Sequence, residues 1–359
     1  MPSPAQRLPH IDLLKFLAAQ VIVLHHLVSY GPIAEAAHEA LPPLARALQH
    51  YGRMAVQVFL VVGGYLTARA LSPQGEGLQA PLPRLLWRRY LRLVLPFLTA
   101  LAFTLGAGLL VERHVPELVP TDIGPGQLAA HALLLQDVLG FESLTVGAWY
   151  VAMDLQLFAG LALLLWLARQ IGPQGGRLAG PLLVAVLTLA SAFVFNLDPA
   201  LDIWAPYFFA AYGLGALVHW LGRARHGRAG LALLAIALVV ALALDWRDRL
   251  ALALGTALWL AWAQSRLAQG RPLLPARWAG ALAAAARPSY ALFLLHFAVL
   301  LLANALLARL PDASAEAGLL IGVTAWALAN ALALPFYRWV EAPAGRLDPL
   351  AWLPRPRWI

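Results

Sequence analysis

Runs of about twenty apolar residues follow one another along this chain, separated by short polar segments, and no other feature restricts its fold as strongly. A run of that length crosses the hydrocarbon layer as a helix, and in lipid only helices and closed barrels satisfy their own backbone donors and acceptors. The runs are rich in Leu, Ala and Val without period-two alternation, so helices are predicted. Ten intervals stand out, at roughly 11–30, 54–71, 88–111, 147–169, 179–197, 203–222, 229–245, 248–265, 288–309 and 316–340. A shorter apolar stretch at 127–139 reads as interfacial. Only 12% of residues are charged, against about a quarter in a soluble domain, and mean hydropathy is +0.70. The predicted class is therefore an all-α, polytopic transmembrane bundle of about ten spans. Residues 1–345 read as one membrane domain and 346–359 as a cytoplasmic tail.

A net charge of +8 raises the question of nucleic acid, but the arginines sit in short segments between apolar runs, which is the pattern of cytoplasmic loops. Arg84, Arg88, Arg89 and Arg92 precede the third span, Arg223, Arg225 and Arg228 the seventh, and Arg266, Arg271 and Arg277 the ninth. The opposite connections carry Glu112, Glu117, Asp122, Asp137, Glu142, Asp198, Asp202, Asp312 and Glu316. Both termini are thus predicted to be cytoplasmic, in a multi-pass protein of the inner membrane with no nucleic-acid partner. The chain has no cysteine, which excludes disulfides, thiolate ligands and thiol nucleophiles. No small-residue cleavage site follows the first apolar run, so it is expected to remain as a span. Ser72–Pro83 and Gly172–Gly180 read as Gly/Pro/Gln-rich turns, and no internal repeat is apparent.

Charge within a span is costly enough to mark function. The first span carries Asp12, Lys15, His25 and His26. Lys15 and His26 are eleven positions apart, about three turns and about 16 Å, which returns them to one face, while His25 falls roughly 80° away. The plainer reading makes Asp12 and Lys15 an interfacial i,i+3 pair and the histidines helix-end groups. Against it, Lys15 is the chain's single lysine among 26 Lys and Arg, a compact point charge where every other basic position is a guanidinium.

The pattern Ile11-Asp-Leu-Leu-Lys15-Phe-Leu-Ala18, followed by His26, resembles the membrane acyltransferase family 3. Val58-Phe-Leu-Val-Val-Gly-Gly-Tyr65 is similar to its second-span motif, Arg89-Tyr-Leu-Arg92 to its Arg-x-x-Arg motif, and Trp149-Tyr-Val-Ala-Met-Asp154-Leu-Gln156 to its Trp-Ser-Leu-x-x-Glu-x-Gln motif. Ser289 to His296 and Tyr337-Arg-Trp-Val-Glu341-Ala-Pro343 resemble its last two landmarks, so the likeness runs from about residue 10 to 345. Lys15 stands where many members have arginine, Gly63 where serine is common and Asp154 where glutamate is usual; position 63 therefore receives no chemical role.

The resemblance implies an O-acyltransferase that moves an acyl group, foremost acetyl from acetyl-CoA, to a hydroxyl of an extracytoplasmic carbohydrate. Such chemistry needs a base, an oxyanion stabiliser and a cationic cradle for CoA phosphates. His26 suits the base or a transient acyl carrier, and Asp154 an orienting carboxylate, unless it forms a structural pair with an arginine. Lys15, Arg89 and Arg92 suit the CoA donor, the alternative being topology charges. His296 is either a structural histidine or a substrate contact. Glu341 reads as structural, paired with Arg338 or Arg346, and Gly63, Gly64 and Tyr65 as a close helix contact. The expected partners are membrane lipid, the glycan acceptor and other proteins of polysaccharide biosynthesis. No metal is expected: His114 and His131 lack convincing spacing, and there is no G-x-S-x-G, P-loop, dinucleotide or H-E-x-x-H motif. Two rival classes are a transporter or flippase for a glycan or lipid intermediate, with Lys15, His26 and Asp154 as coupling groups, and a non-catalytic helper in a polysaccharide complex.

Overall fold

The computed structural model describes residues 8–171 and 176–347. The first seven residues, 172–175 of the expected Gly172–Gly180 turn, and the predicted tail from 348 onward lie outside the described residues. All regular structure in the described residues is helical. In chain order the helices are α1 (Pro9–Leu27), α2 (Gly31–Ala40), α3 (Pro42–Tyr51), α4 (Val56–Leu71), α5 (Leu82–Val111), α6 (Pro125–Leu133) and α7 (Ala148–Gln170). Then follow α8 (Gly176–Phe193), α9 (Ala205–Leu221), α10 (Gly227–Leu244), α11 (Asp248–Ala268), α12 (Ala276–Ala286), α13 (Ser289–Ala308) and α14 (Ala315–Phe336). The ambiguous stretch at 127–139 holds only the nine-residue α6, too short to cross a bilayer.

Among the described residues, 8 helical runs are long and apolar enough to cross a membrane. Helices α9 and α11 fill the other two predicted intervals; α9 has 17 residues, and the 21 residues of α11 include Asp248, Arg249 and Arg266. Burial separates the layers: 78% of α13 is enclosed by other helices, against 22% of α10. The outward faces carry Leu109, Leu110, Leu182, Leu233, Ile236, Leu320 and Val323, all exposed, which is the surface a lipid-facing helix presents.

The tightest seam joins α4 to α9, and glycine makes it possible. A Cβ on Gly64 would stand 1.8 Å from the Tyr212 carbonyl oxygen, and one on Gly215 would stand 1.8 Å from that of Val61. The two backbones thus interlock reciprocally, as small-residue packing in membranes allows. Two irregularities elsewhere shape the interior. Pro288 separates α12 from α13, so the first turn of α13 begins with N–H groups that α12 does not take up. Pro335 removes a donor from the last turn of α14, and the ladder then widens into a π-helical turn at Tyr337–Glu341.

Candidate active site

These irregularities converge on a cavity of about 160 Å³ between α1, α4, α5, α7, α13 and the π-helical turn. Lys15, Arg89, Arg92, Asp154 and Glu341, residues from four separate segments, all line it, together with Tyr150, Tyr290 and Arg287. Ile22 lines it as well, and Lys15, Ile22 and His26 recur at i, i+7 and i+11, one face of α1. The shared face expected for Lys15 and His26 is therefore the face that meets the cavity.

Arg89, seven residues into α5, donates from Nη2 to both carboxylate oxygens of Asp154, at 2.7 and 2.6 Å, and its guanidinium lies 5.1 Å over the Phe158 ring. The Asp154 carboxylate thus meets an arginine, not a histidine. Its pairing makes sense for a carboxylate enclosed among apolar residues: with the partner removed, either charge would be stranded. The Arg89 Nε is buried without a partner, so the guanidinium has donor capacity left over. Glu341 is held by the widened turn so that its Oε2 accepts the Ala291 N–H at 3.0 Å, capping the broken end of α13. The cations it faces are Lys15 and Arg92, on α1 and α5, where the sequence had offered Arg338 and Arg346.

At the far end of α1, His26 meets His296 of α13. Nδ1 of His26 lies 2.6 Å from Nε2 of His296, and the ring planes agree within 7° at a centroid separation of 4.8 Å. Parallel rings stacked face to face cannot bring two nitrogens that close, so the rings meet edge to edge through a hydrogen bond. Its direction follows from the next contact. Nδ1 of His296 lies 2.8 Å from the Phe293 carbonyl oxygen, which can only accept, so that nitrogen carries the proton and Nε2 is the acceptor. His26 must then donate from Nδ1, and its own Nε2 keeps a lone pair. His25 turns away, its Nδ1 3.1 Å from the Leu48 carbonyl oxygen.

A second cavity, about 640 Å³, opens where α4, α7, α9 and α11 begin. Val56 lines both cavities, and consecutive residues of α7 divide between them, Tyr150 to the first and Trp149 to the second. Gln57, 5% exposed and without a hydrogen-bond partner among the described residues, lines this larger space with Trp149, Phe208, Asp137, Asp202 and Arg53.

Residues 8–337 match the family model described as an acyltransferase domain. The chain belongs to the membrane acyltransferase family 3. No curated protein and no solved structure matched it. Membership makes the chain a membrane acyltransferase, and it gives the histidine pair and the charged cavity a chemical context. Sequence reasoning had left His296 undecided and Glu341 structural; the signal for both was present in the family's last two landmarks, but the histidine and the cations they face are about 250 positions or more away along the chain. Arg287 and Gln57 gave no signal at all, since a loop arginine and a buried amide acquire meaning only from the cavity they line, and Tyr150 stood only as part of the Trp149–Gln156 motif. Among the described residues no group of three or more histidines, cysteines, aspartates or glutamates is placed to hold a metal ion.

Proposed function

We propose that this family member is an acyl-CoA-dependent O-acyltransferase with ten spans and both termini in the cytoplasm, acting in the inner membrane. It transfers an acyl group, acetyl first of all, to a hydroxyl of an extracytoplasmic carbohydrate. The observation that carries this reading is the His26–His296 pair: its proton order leaves His26 Nε2 as a base, oriented by its own Nδ1 hydrogen bond, on the face of α1 that meets the charged cavity. In the proposed step His26 Nε2 takes the proton of the acceptor hydroxyl, the oxygen attacks the thioester carbonyl, and the tetrahedral oxyanion collapses with loss of the CoA thiolate. The proton on His26 then passes to the thiolate, which closes the cycle. Lys15, Arg92 and the spare donors of Arg89 are the groups for the donor's polar atoms and the oxyanion. The larger cavity, with its aromatic faces and unpartnered Gln57, suits the sugar.

The experiment is transfer of labelled acetyl from acetyl-CoA to envelope glycans in membranes holding wild type, His26→Ala or Lys15→Ala at matched expression. Label that depends on His26 supports the reading; no transfer from acetyl-CoA or longer acyl-CoAs by wild type overturns it. One observation favours the rival transport reading: the Pro288 break opens the start of α13 onto a charged cavity, a feature of transporter sites. Flux of a labelled glycan-lipid intermediate into sealed vesicles, independent of acyl-CoA, would establish it.

A further inference from the structure

Beside the first turn of α1 lies a separate cavity, about 250 Å³, bounded by the end of α4, the turn after α9 and the last turns of α11. It shares no lining residue with the central cavity. Its polar lining is His10, Tyr65, Arg69, Arg223 and Gln264, and no carboxylate is among the described residues that form it.

Two observations point to a missing ligand. His10 is 2% exposed, and both of its ring nitrogens are buried without a hydrogen-bond partner, as is Oε1 of Gln264. Buried polar groups are almost always satisfied, so three unsatisfied atoms around one space call for an occupant. Neither guanidinium that lines the cavity meets a carboxylate among the described residues. Arg223 meets only neutral groups, the Pro73 carbonyl at 3.3 Å and His219 Nε2 at 3.4 Å. Arg69 makes no hydrogen bond among the described residues, though it is half-buried.

The occupant's chemistry follows from the donors. Two arginine forks, a tyrosine hydroxyl, an imidazole N–H and an amide that can turn its NH₂ inward all offer hydrogen, and two fixed positive charges face one small volume. A carboxylate brings two oxygens and one charge; a phosphate brings three or more oxygens and up to two charges, matching the set. We propose that this cavity binds a phosphate group. The assignment goes beyond the acyltransferase reading and does not depend on it. The phosphate has three chemical sources: the nucleotide end of a CoA donor, the headgroup of an anionic phospholipid, or free inorganic phosphate.

The test is calorimetric titration of the full chain, purified in neutral detergent, with adenosine 3′,5′-bisphosphate, dihexanoyl phosphatidylglycerol and inorganic phosphate in turn. Wild type is expected to bind at least one, with affinity falling as salt rises. Arg69→Gln or Arg223→Gln is expected to weaken that ligand about tenfold or more, the value of one charge-assisted contact, and His10→Phe to weaken it less. Binding of the bisphosphate alone assigns the nucleotide source, of the lipid alone the membrane source, and of all three a general phosphate site. Arg223 is exposed, so Arg223→Gln leaves packing untouched and decides the matter if Arg69→Gln lowers the yield of folded protein. Failure of wild type to bind any of the three, or equal binding by wild type and the arginine variants, overturns the proposal, whatever the outcome of the acyl-transfer assay.

Discussion

The central cavity and the cavity beside the first turn of α1 are both lined by arginines, and they differ in what answers those charges. In the central cavity Arg89 is matched by Asp154 at 2.6 Å, and Glu341 faces Lys15 and Arg92. In the other, no carboxylate among the described residues lines the space that Arg69 and Arg223 share. The difference teaches that charge alone does not mark a ligand site. A matched pair inside the bundle fixes the relative positions of two helices, because neither member tolerates loss of the other. Cations without a carboxylate beside them, set among unsatisfied buried polar atoms, are the arrangement that favours an anion.

The largest expected effect tests the acyl-transfer chemistry proposed for the matched cavity. His26→Ala should lower kcat of acyl transfer about 100-fold or more, while phosphate binding at the α1 cavity stays as in wild type. His296→Ala should cost less, since it removes the group that orients His26 and not the base itself. A kcat loss in the His296 variant equal to that of His26→Ala would show that the two rings act as one unit. Equal activity in all three proteins would break the reading.

Next in size is the ion pair. Asp154→Asn leaves Arg89 buried beside a neutral amide and should lower stability by about 3 kcal/mol, read as the midpoint of thermal unfolding in detergent. Replacing both partners, Arg89→Met with Asp154→Leu, should restore most of that stability without restoring transfer. A single variant as stable as wild type would mean that the pair is not the lock between α5 and α7. Glu341→Gln should do less, about 1 kcal/mol, because the amide oxygen still accepts the Ala291 N–H; the charge facing Lys15 and Arg92 is what it loses. A larger effect on donor KM than on stability would show that Glu341 sets the charge of the cavity and does not only cap α13.

The smallest effect lies outside the spans, in the α5–α7 connection that holds both partners of the ion pair in register. His131 is fully buried; its Nδ1 lies 2.8 Å from the Gln127 carbonyl oxygen, to which it donates, and Nε2 accepts the Leu144 N–H at 3.0 Å. Burial holds this imidazole below its ordinary value of 6.5. Because the folded value is the lower one, the unfolded chain takes up the proton first as pH falls. The contribution of His131 is therefore complete above about 6.5 and declines below it, down to the folded value. Unfolding midpoints from pH 7.5 to 5.5 should show an acid-side loss in wild type that is shallower in His131→Gln. Parallel slopes in the two proteins would remove His131 from the account.

How much of this was legible beforehand depends on the range of the interaction. Hydropathy placed ten helices, and helices occupy those ten intervals, eight of them in runs long and apolar enough to cross a membrane among the described residues, because apolar length is a property of the run itself. The one-face relation of Lys15 and His26 was equally local, fixed by the helical repeat. The Gly63-Gly64 pair announced a close contact, and Gly64 and Gly215 interlock α4 with α9, yet nothing in the run named α9 as the partner. A pair between Asp154 and an arginine was among the readings left open, and packing of α7 on α5 supplies Arg89 as that arginine.

By itself, then, the sequence determined the class of fold, the shared face of α1 on which Lys15 and His26 lie and the family to which the chain belongs. Tertiary structure decided which charges are matched, which histidine orients which, and where unanswered donors gather. The physical reason is distance along the chain: helix formation and membrane insertion are settled within one run of residues. The pairing of His26 with His296, of Arg89 with Asp154, and of Arg69 with Arg223 across one cavity depends on how separate runs pack, which no single run encodes.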